Sequence, residues 1–146
     1  MIAGFKLTKD FIQFEGEVST WEEAIIKSSK PLLDEGFIEQ SYVDAMIDSV
    51  KEHGPYIVIA PNIALPHARP ESGSKKVGFS VLRLDKPVAF SDHDDHNVRL
   101  LIALSCVDST THLEILQSIV TILSDEEKHN AIFNAKTTKE ILDIFS

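Results

Sequence analysis

His67 is the histidine in this chain whose setting could do chemistry. It lies in Ala60-Pro-Asn-Ile-Ala-Leu-Pro-His67-Ala-Arg-Pro-Glu71, directly after one proline and shortly before another. Proline fixes its own φ and biases the residue before it toward extended backbone. The imidazole is therefore presented in a set direction. With an unperturbed pKa of about 6.5, a neutral imidazole is a good nucleophile near neutral pH. If one ring nitrogen attacks a phosphoryl group, the other must be held by a hydrogen bond. Arg69 could steady phosphate oxygens through a bidentate contact. The plainer readings stay open here: His67 as a turn histidine satisfied by a backbone carbonyl, and Arg69 as a solvated loop cation.

Two other histidine settings invite a role. His112 follows Thr110 and Thr111, either of which can cap a helix, so it falls in a first helical turn. Helix N-termini expose free N–H groups and favour anions. A phosphate on His67 would be stabilised if this helix pointed at it, with His112 as a second contact. On the residues alone, His112 is a first-turn histidine beside its capping threonine. His93-Asp94-Asp95-His96 places two histidines around two carboxylates, which raises a metal reading. The spacing is short, and no cysteine or distant histidine pair completes a shell, so the segment reads as a solvated loop. His53 and His129 lie in polar contexts near helix ends and receive no role. Cys106 ends an apolar run and reads as a small buried residue. There is no Gly-x-Ser-x-Gly elbow, no Gly-x-x-x-x-Gly-Lys-Ser/Thr loop and no Gly-x-Gly-x-x-Gly, so hydrolase and nucleotide-binding readings have no support.

The elements that must position these residues are read from periodicity and punctuation. Phe11–Phe14 reads as a short edge strand, with Glu15-Gly-Glu17 turning away. Thr20 and Glu23 have capping-box spacing and open a helix at Trp21, which Pro31 should disturb near its end and Gly36 should close. A second helix starts near Ser41 and Asp44, carries Tyr42, Val43, Met46, Ile47 and Val50 at helical spacing, and stops at Gly54-Pro55. Tyr56–Ala60 reads as a buried strand. Asn62 suits a tight left-handed turn. Residues 77–84 form a strand, Asp85-Lys-Pro87 a turn, Val88–Phe90 a brief extended piece, and Ser91–Asn97 a polar loop. Val98–Ser105 is the most apolar short run and reads as a central strand buried on both faces. A third helix should bury Leu113, Leu116, Val120 and Leu123, supported by Ile115, Ile119 and Ile122. A short fourth helix opens at Asp125–Glu127. Thr137 and Glu140 form a second capping box leading into Ile141, Ile144 and Phe145. Alternating strands and helices with short connections predict an α/β fold, a single domain over 1–146 with a mixed sheet flanked by helices on both faces.

Bulk properties agree with one soluble domain. The chain has 146 residues, 43% hydrophobic and 25% charged. A net charge of −9 argues against nucleic acid or an anionic membrane as partner and suits a basic protein surface. A single cysteine excludes an internal disulfide and fits a reducing, cytoplasmic compartment. The N-terminus has no cleavable apolar segment, and no stretch reaches the roughly 20 apolar residues that span a bilayer.

The chain also carries a resemblance over most of its length. Trp21, Gly54-Pro-Tyr56, Ala60-Pro61, Pro66-His67-Ala-Arg-Pro-Glu71, Lys75-Lys-Val-Gly-Phe79, Lys86-Pro87 and Val107-Asp-Ser-Thr-Thr-His112 occur in one order. In this it resembles the enzyme IIA components of the bacterial sugar phosphotransferase system, of mannitol/fructose type and closest to the ascorbate-class branch. The resemblance implies a phosphocarrier, formally a phosphotransferase component. His67 would accept a phosphoryl group from the carrier protein HPr and pass it to a cysteine of enzyme IIB, which serves sugar entry through membrane enzyme IIC. His112 matches the family's second histidine. No cofactor and no metal are implied. A regulatory module of the same fold, signalling through phospho-His67, is the alternative; a metal-binding protein using His93, Asp94, Asp95 and His96 is another. Two departures stand out. Asn62 replaces a frequent glycine. Asp48-Ser-Val-Lys51-Glu has no arginine where many members carry one late in the second helix. An apolar rim around His67, formed by Ile63 and Leu65, is expected to exclude water and dock both partners.

Overall fold

A computed structural model describes all 146 residues. Its frame is one mixed sheet of five strands in the order β1-β4-β5-β3-β2. These are β1 (Ile12–Glu15), β2 (Val58–Ala60), β3 (Asn62–Ala64), β4 (Gly78–Ala89) and β5 (Asn97–Ser105). β5 lies in the middle, antiparallel to β4 and parallel to β3. Val98 and every residue from Leu100 to Ser105 are buried, as the uninterrupted apolar run predicts. β1 is an edge strand, as expected, and pairs parallel with β4.

Side-chain alternation along β4 sends successive residues to opposite faces. Ser80 donates a hydrogen bond to the Ser28 carbonyl of helix α1 (Trp21–Asp34) on one face. On the other, the Phe79 ring meets Phe145 of α5 (Thr138–Phe145) at 5.5 Å. Also on that face, Arg83 donates to the Ile132 and Phe133 carbonyls of α4 (Glu126–Asn134). Helices cover both faces, as predicted.

Pro31 does not end α1. It lacks the N–H that would bond the carbonyl four residues back, and Gln13 Nε2 donates to that carbonyl, Lys27 O, at 2.7 Å. The β1 strand thus completes what proline removes. The helix then closes through Gly36, whose φ of 78° is left-handed. Helix α2 (Gln40–His53) starts earlier than expected, because Ser41 does not cap it. Ser41 instead donates to Ser72 O at 2.7 Å and pins the turn after Pro70. Gly54, with φ 84°, ends α2 as predicted.

Four expectations are corrected. Residues 56–60 are not a buried strand: after Gly54-Pro55 the chain turns, and only Val58–Ala60 pairs, at the sheet edge. Asp85-Lys-Pro87 does not reverse the chain, since β4 runs through it with a shift of register against β5. Asp108, not Thr110 or Thr111, caps α3 (Ser109–Ser124), accepting from Thr111 N–H at 2.8 Å. The buried stripe of α3 is Ile115, Ile119 and Leu123, while Leu113 is 55% and Val120 44% exposed. The strongly apolar α3 sequence admits more than one stripe, and packing selects the one that carries Ile115 and Ile119.

Tyr42, fully buried on α2, joins this frame to the loop beyond β3. Its hydroxyl donates to Leu104 O at 2.8 Å and accepts the Ala68 N–H at 3.1 Å. Tyr42→Phe leaves both groups without their partner and should cost about 2 kcal/mol, read as a lower urea midpoint at unchanged slope.

Candidate functional site

The site begins where the chain leaves the sheet. Asn62 takes a left-handed φ of 74° and turns β2 into β3, as its side-chain type predicts. β3 then runs beside β5 and delivers residues 65–68 to the C-terminal end of that strand. Each of these residues is pinned. Leu65 N–H donates to Ile57 O at 2.8 Å, and Leu104 N–H donates to Pro66 O at 2.9 Å. The Tyr56 hydroxyl donates to His67 O at 2.8 Å, and Ala68 N–H donates to the Tyr42 hydroxyl. Pro66 has no N–H to satisfy in this crowded position.

The His67 ring is held through one nitrogen. Nδ1 lies 2.6 Å from the Leu65 carbonyl. A carbonyl only accepts, so Nδ1 carries the proton and Nε2 keeps its lone pair. Partial burial holds the imidazole below its ordinary pKa; the Leu65 carbonyl opposes this shift and nearby His112 adds to it. His67 is therefore neutral at pH 7. Tyr56 meets its ring edge-on at 5.6 Å between centroids, and His112 lies 5.1 Å away at 52°.

His112 comes from the first turn of α3. The Asp108 side chain satisfies Thr111 N–H, and His112 N–H bonds the Asp108 carbonyl at 3.1 Å. Hydrogen bonds from Thr111 hold the Asp108 carboxyl below the usual range. Ser109 and Asp108 open onto the same cleft as His67, which places the positive end of the α3 dipole there. The cleft has a volume of about 660 Å³. Arg69, exposed and without an ion pair, lines it beside Glu71. The structure thus brings His67, His112 and Arg69 to one pocket.

Other lining residues carry no role in the sequence reading. Ser49 and His53 reach the cleft from the last turns of α2, and Tyr56 and Val107 from the connections that flank it. A signal for the α2 pair is present: Ser49 and His53 stand four apart, on one helical face, immediately before the Gly-Pro stop. The expected rim is corrected. Ile63 and Leu65 are 3% and 0% exposed and belong to the core, because β3 is an inner strand. The exposed apolar side chains near the site are Tyr56, Val107 and Leu113. At the polar loop, Asp94–His96 form a short turn and His96 Nδ1 engages the Ser91 hydroxyl. No three His, Cys, Asp or Glu side chains converge there or elsewhere to hold a metal. Cys106 is buried, which pushes its thiol up to about 11 and away from nucleophilic chemistry. No helix is long and apolar enough to cross a membrane.

Comparison with known proteins identifies the fold and the family. The ascorbate-specific phosphotransferase system EIIA component of Escherichia coli K12 is 40% identical over 134 residues, covering 91% of this chain and 87% of the relative. The mannitol-specific cryptic enzyme IIA CmtB of Escherichia coli superposes with a TM-score of 0.90 at 35% identity, covering 100% of this chain and 99% of that one. Escherichia coli enzyme IIA for mannitol, in its complex with phosphorylated enzyme IIB, superposes with a TM-score of 0.84 at 25% identity over 96% of each chain. Residues 6–146 match the family described as phosphoenolpyruvate-dependent sugar phosphotransferase system, EIIA 2. The chain belongs to that family and is a phosphotransferase component of the sugar phosphotransferase system.

Proposed function

We propose that His67 is the phosphorylated residue of a cytoplasmic phosphocarrier, accepting from phospho-HPr and donating to a cysteine of its cognate enzyme IIB. The observation that carries this reading is the Leu65 carbonyl on Nδ1, which leaves Nε2 with its lone pair in a cleft that the start of α3 also lines. The Nε2 lone pair attacks the donor phosphohistidine phosphorus in line; the new N–P bond forms as the donor N–P bond breaks, and the donor imidazole leaves. The Nδ1–H stays hydrogen-bonded to the Leu65 carbonyl throughout. In the second transfer a thiolate sulfur attacks phosphorus, and neutral His67 departs. His112 and Arg69 contact the phosphoryl oxygens, and the first-turn amides of α3 spread its charge. Enzyme IIC is the downstream, indirect partner. The likeness to ascorbate-specific relatives supports ascorbate as the transported sugar class.

Phosphorylation from phosphoenolpyruvate through enzyme I and HPr, measured by intact mass, tests the assignment. Wild type should gain one acid-labile phosphate. His67→Ala should gain none. His112→Ala should be labelled but pass the group on poorly to enzyme IIB. A label that survives in His67→Ala overturns the reading.

The lowered pKa of His67 has a signed consequence for stability. The unfolded chain protonates this histidine near pH ~6.5, while the folded chain resists until lower pH. Above that window the two states bind equal protons there; as pH falls through it, the folded state loses stability. In urea titrations at stepped pH, His67→Gln should show a shallower acid-side loss than wild type.

Docking is expected to use Tyr56, Val107 and Leu113, which are 43%, 43% and 55% exposed. Leu113→Glu should lower the rate of transfer from HPr by about tenfold, the scale of losing one interface anchor, with the melting temperature unchanged. An unaltered rate removes Leu113 from the interface.

A further inference from the structure

We propose that Ser41, in the first turn of α2, is a positioning residue for Arg69: with Tyr42 it strings the turn that carries the arginine between two anchors on one helix. This rests on the phosphocarrier reading, in which Arg69 contacts the phosphoryl oxygens, and extends it to a residue that does not line the cleft. Ser41 offers a helix start in sequence, yet its hydroxyl does not cap α2. It reaches 31 positions along the chain and donates to the Ser72 carbonyl at 2.7 Å.

Ala68, Arg69, Pro70 and Glu71 line the cleft in succession. They belong to a tight unit. Pro70 holds Arg69 in extended backbone, with φ −68° and ψ 143°, and opens a single 3-10 turn over Pro70–Ser72. Ser72 N–H closes on the Arg69 carbonyl at 2.9 Å, and Gly73 and Ser74 N–H reach the Pro70 carbonyl at 3.2 and 3.0 Å. The place of so short a unit is decided at its two ends. At the near end the Tyr42 hydroxyl accepts the Ala68 N–H at 3.1 Å. At the far end Ser41 holds the Ser72 carbonyl. The two anchors are consecutive residues of α2, so the arginine is bracketed from one rigid base. Gly73 lets the far anchor approach: a Cβ there would stand 2.6 Å from Ser41 Oγ, and its φ of 132° favours glycine in its own right. Glu39 N–H, just before α2, adds a bond to the Gly73 carbonyl at 2.9 Å.

The arginine needs such a base. It is exposed and makes no ion pair, so its reach toward His67 depends on where its backbone is held. A bidentate contact to phosphoryl oxygens demands a set distance and direction. A turn released at Ser72 would swing about the Tyr42 anchor and would have to be ordered anew at every transfer. The Ser41 hydroxyl removes that freedom before the phosphoryl group arrives.

The test is a double-mutant cycle of wild type, Ser41→Ala, Arg69→Ala and the double variant, read as the rate of phosphorylation from phosphoenolpyruvate through enzyme I and HPr. We expect Ser41→Ala to slow acceptance about fivefold, the scale of one net hydrogen bond, and Arg69→Ala about twentyfold, the scale of a hydrogen bond to a charged group. The double variant should be no slower than Arg69→Ala, because Ser41 acts through the arginine. A residue that only stabilises the fold would slow both backgrounds by the same factor. Backbone amide order parameters of Arg69, Glu71 and Ser72 should fall in Ser41→Ala, with that of Ala68 unchanged. A wild-type rate in Ser41→Ala, equal slowing in both backgrounds, or a turn that stays rigid without the hydroxyl would overturn the inference and leave the carrier reading intact. Arg69→Ala at the wild-type rate would remove Arg69 from the phosphate site, and this inference with it, while His67 is still labelled. Wild type that takes no phosphate would overturn the carrier reading itself.

Discussion

The contact between the Leu65 carbonyl and His67 Nδ1 is the constraint on which the rest of the site depends. It spans two residues of one chain and fixes at once the tautomer, the ring direction and the identity of the free nitrogen. A contact this local closes only a short loop, but it is also easily lost, since a small backbone rotation at Pro66 would misdirect the carbonyl. The surrounding hydrogen bonds remove that freedom. Ile57, Leu104, Tyr42 and Tyr56 each hold one backbone group between Leu65 and Ala68. Tyr42 belongs to α2, Tyr56 and Ile57 to the turn before β2, and Leu104 to β5, so the loop is clamped from several sides.

That clamp explains why the sheet is arranged as it is. β5 is buried along most of its length and supplies Leu104, the innermost anchor. β3 is only three residues long, yet it sits between β5 and the edge strand β2. A short inner strand can carry a reactive loop because its neighbours, not its own length, supply the hydrogen bonds. The left-handed Asn62 permits the tight return from β2 into β3. The register of β3 against β5 shifts beside it, between Asn62 and Ile63. The loop leaves the core at His67: Pro66 is buried and His67 half-buried. Burial is enough to keep the imidazole neutral and not so deep that a partner cannot reach it.

Much of this is legible in the sequence, and where the reading fails the causes are specific. The central strand, both capping boxes, the left-handed Asn62 and the Pro-His loop announce themselves through short-range chemistry. Val98–Ser105 is too apolar to fit anywhere but the middle of the sheet. The cap of α3 is ambiguous by two or three positions because Asp108, Thr110 and Thr111 are all good caps, and only the backbone trace selects among them. Pro31 misleads because the rule against helix-interior proline assumes that no side chain repairs the freed carbonyl, and Gln13, distant in sequence, does. Ile63 and Leu65 suggest a surface rim because they are apolar and flank a reactive histidine. Their burial follows from strand order, which local pattern does not encode. The spacing of Ser49 and His53 shows only that they share a helical face; nothing local says that the end of α2, or Tyr56 after it, faces the loop beyond β3.

The charge distribution of the site follows from what a carrier must do. A phosphate held by several fixed cations would be stable and would stay. Here the permanently charged side chains that line the cleft are Arg69, Glu71 and Asp108, and the start of α3 adds the partial positive charge of its first-turn amides. Amide dipoles at such a helix start act on phosphoryl oxygens whichever nucleophile holds the phosphorus. A carrier site has to stabilise the phosphoryl group most while it is shared between two nucleophiles, which is the requirement for rapid transfer in both directions. The molecule's net charge of −9 acts in the same sense at long range, since it attracts positively charged surfaces.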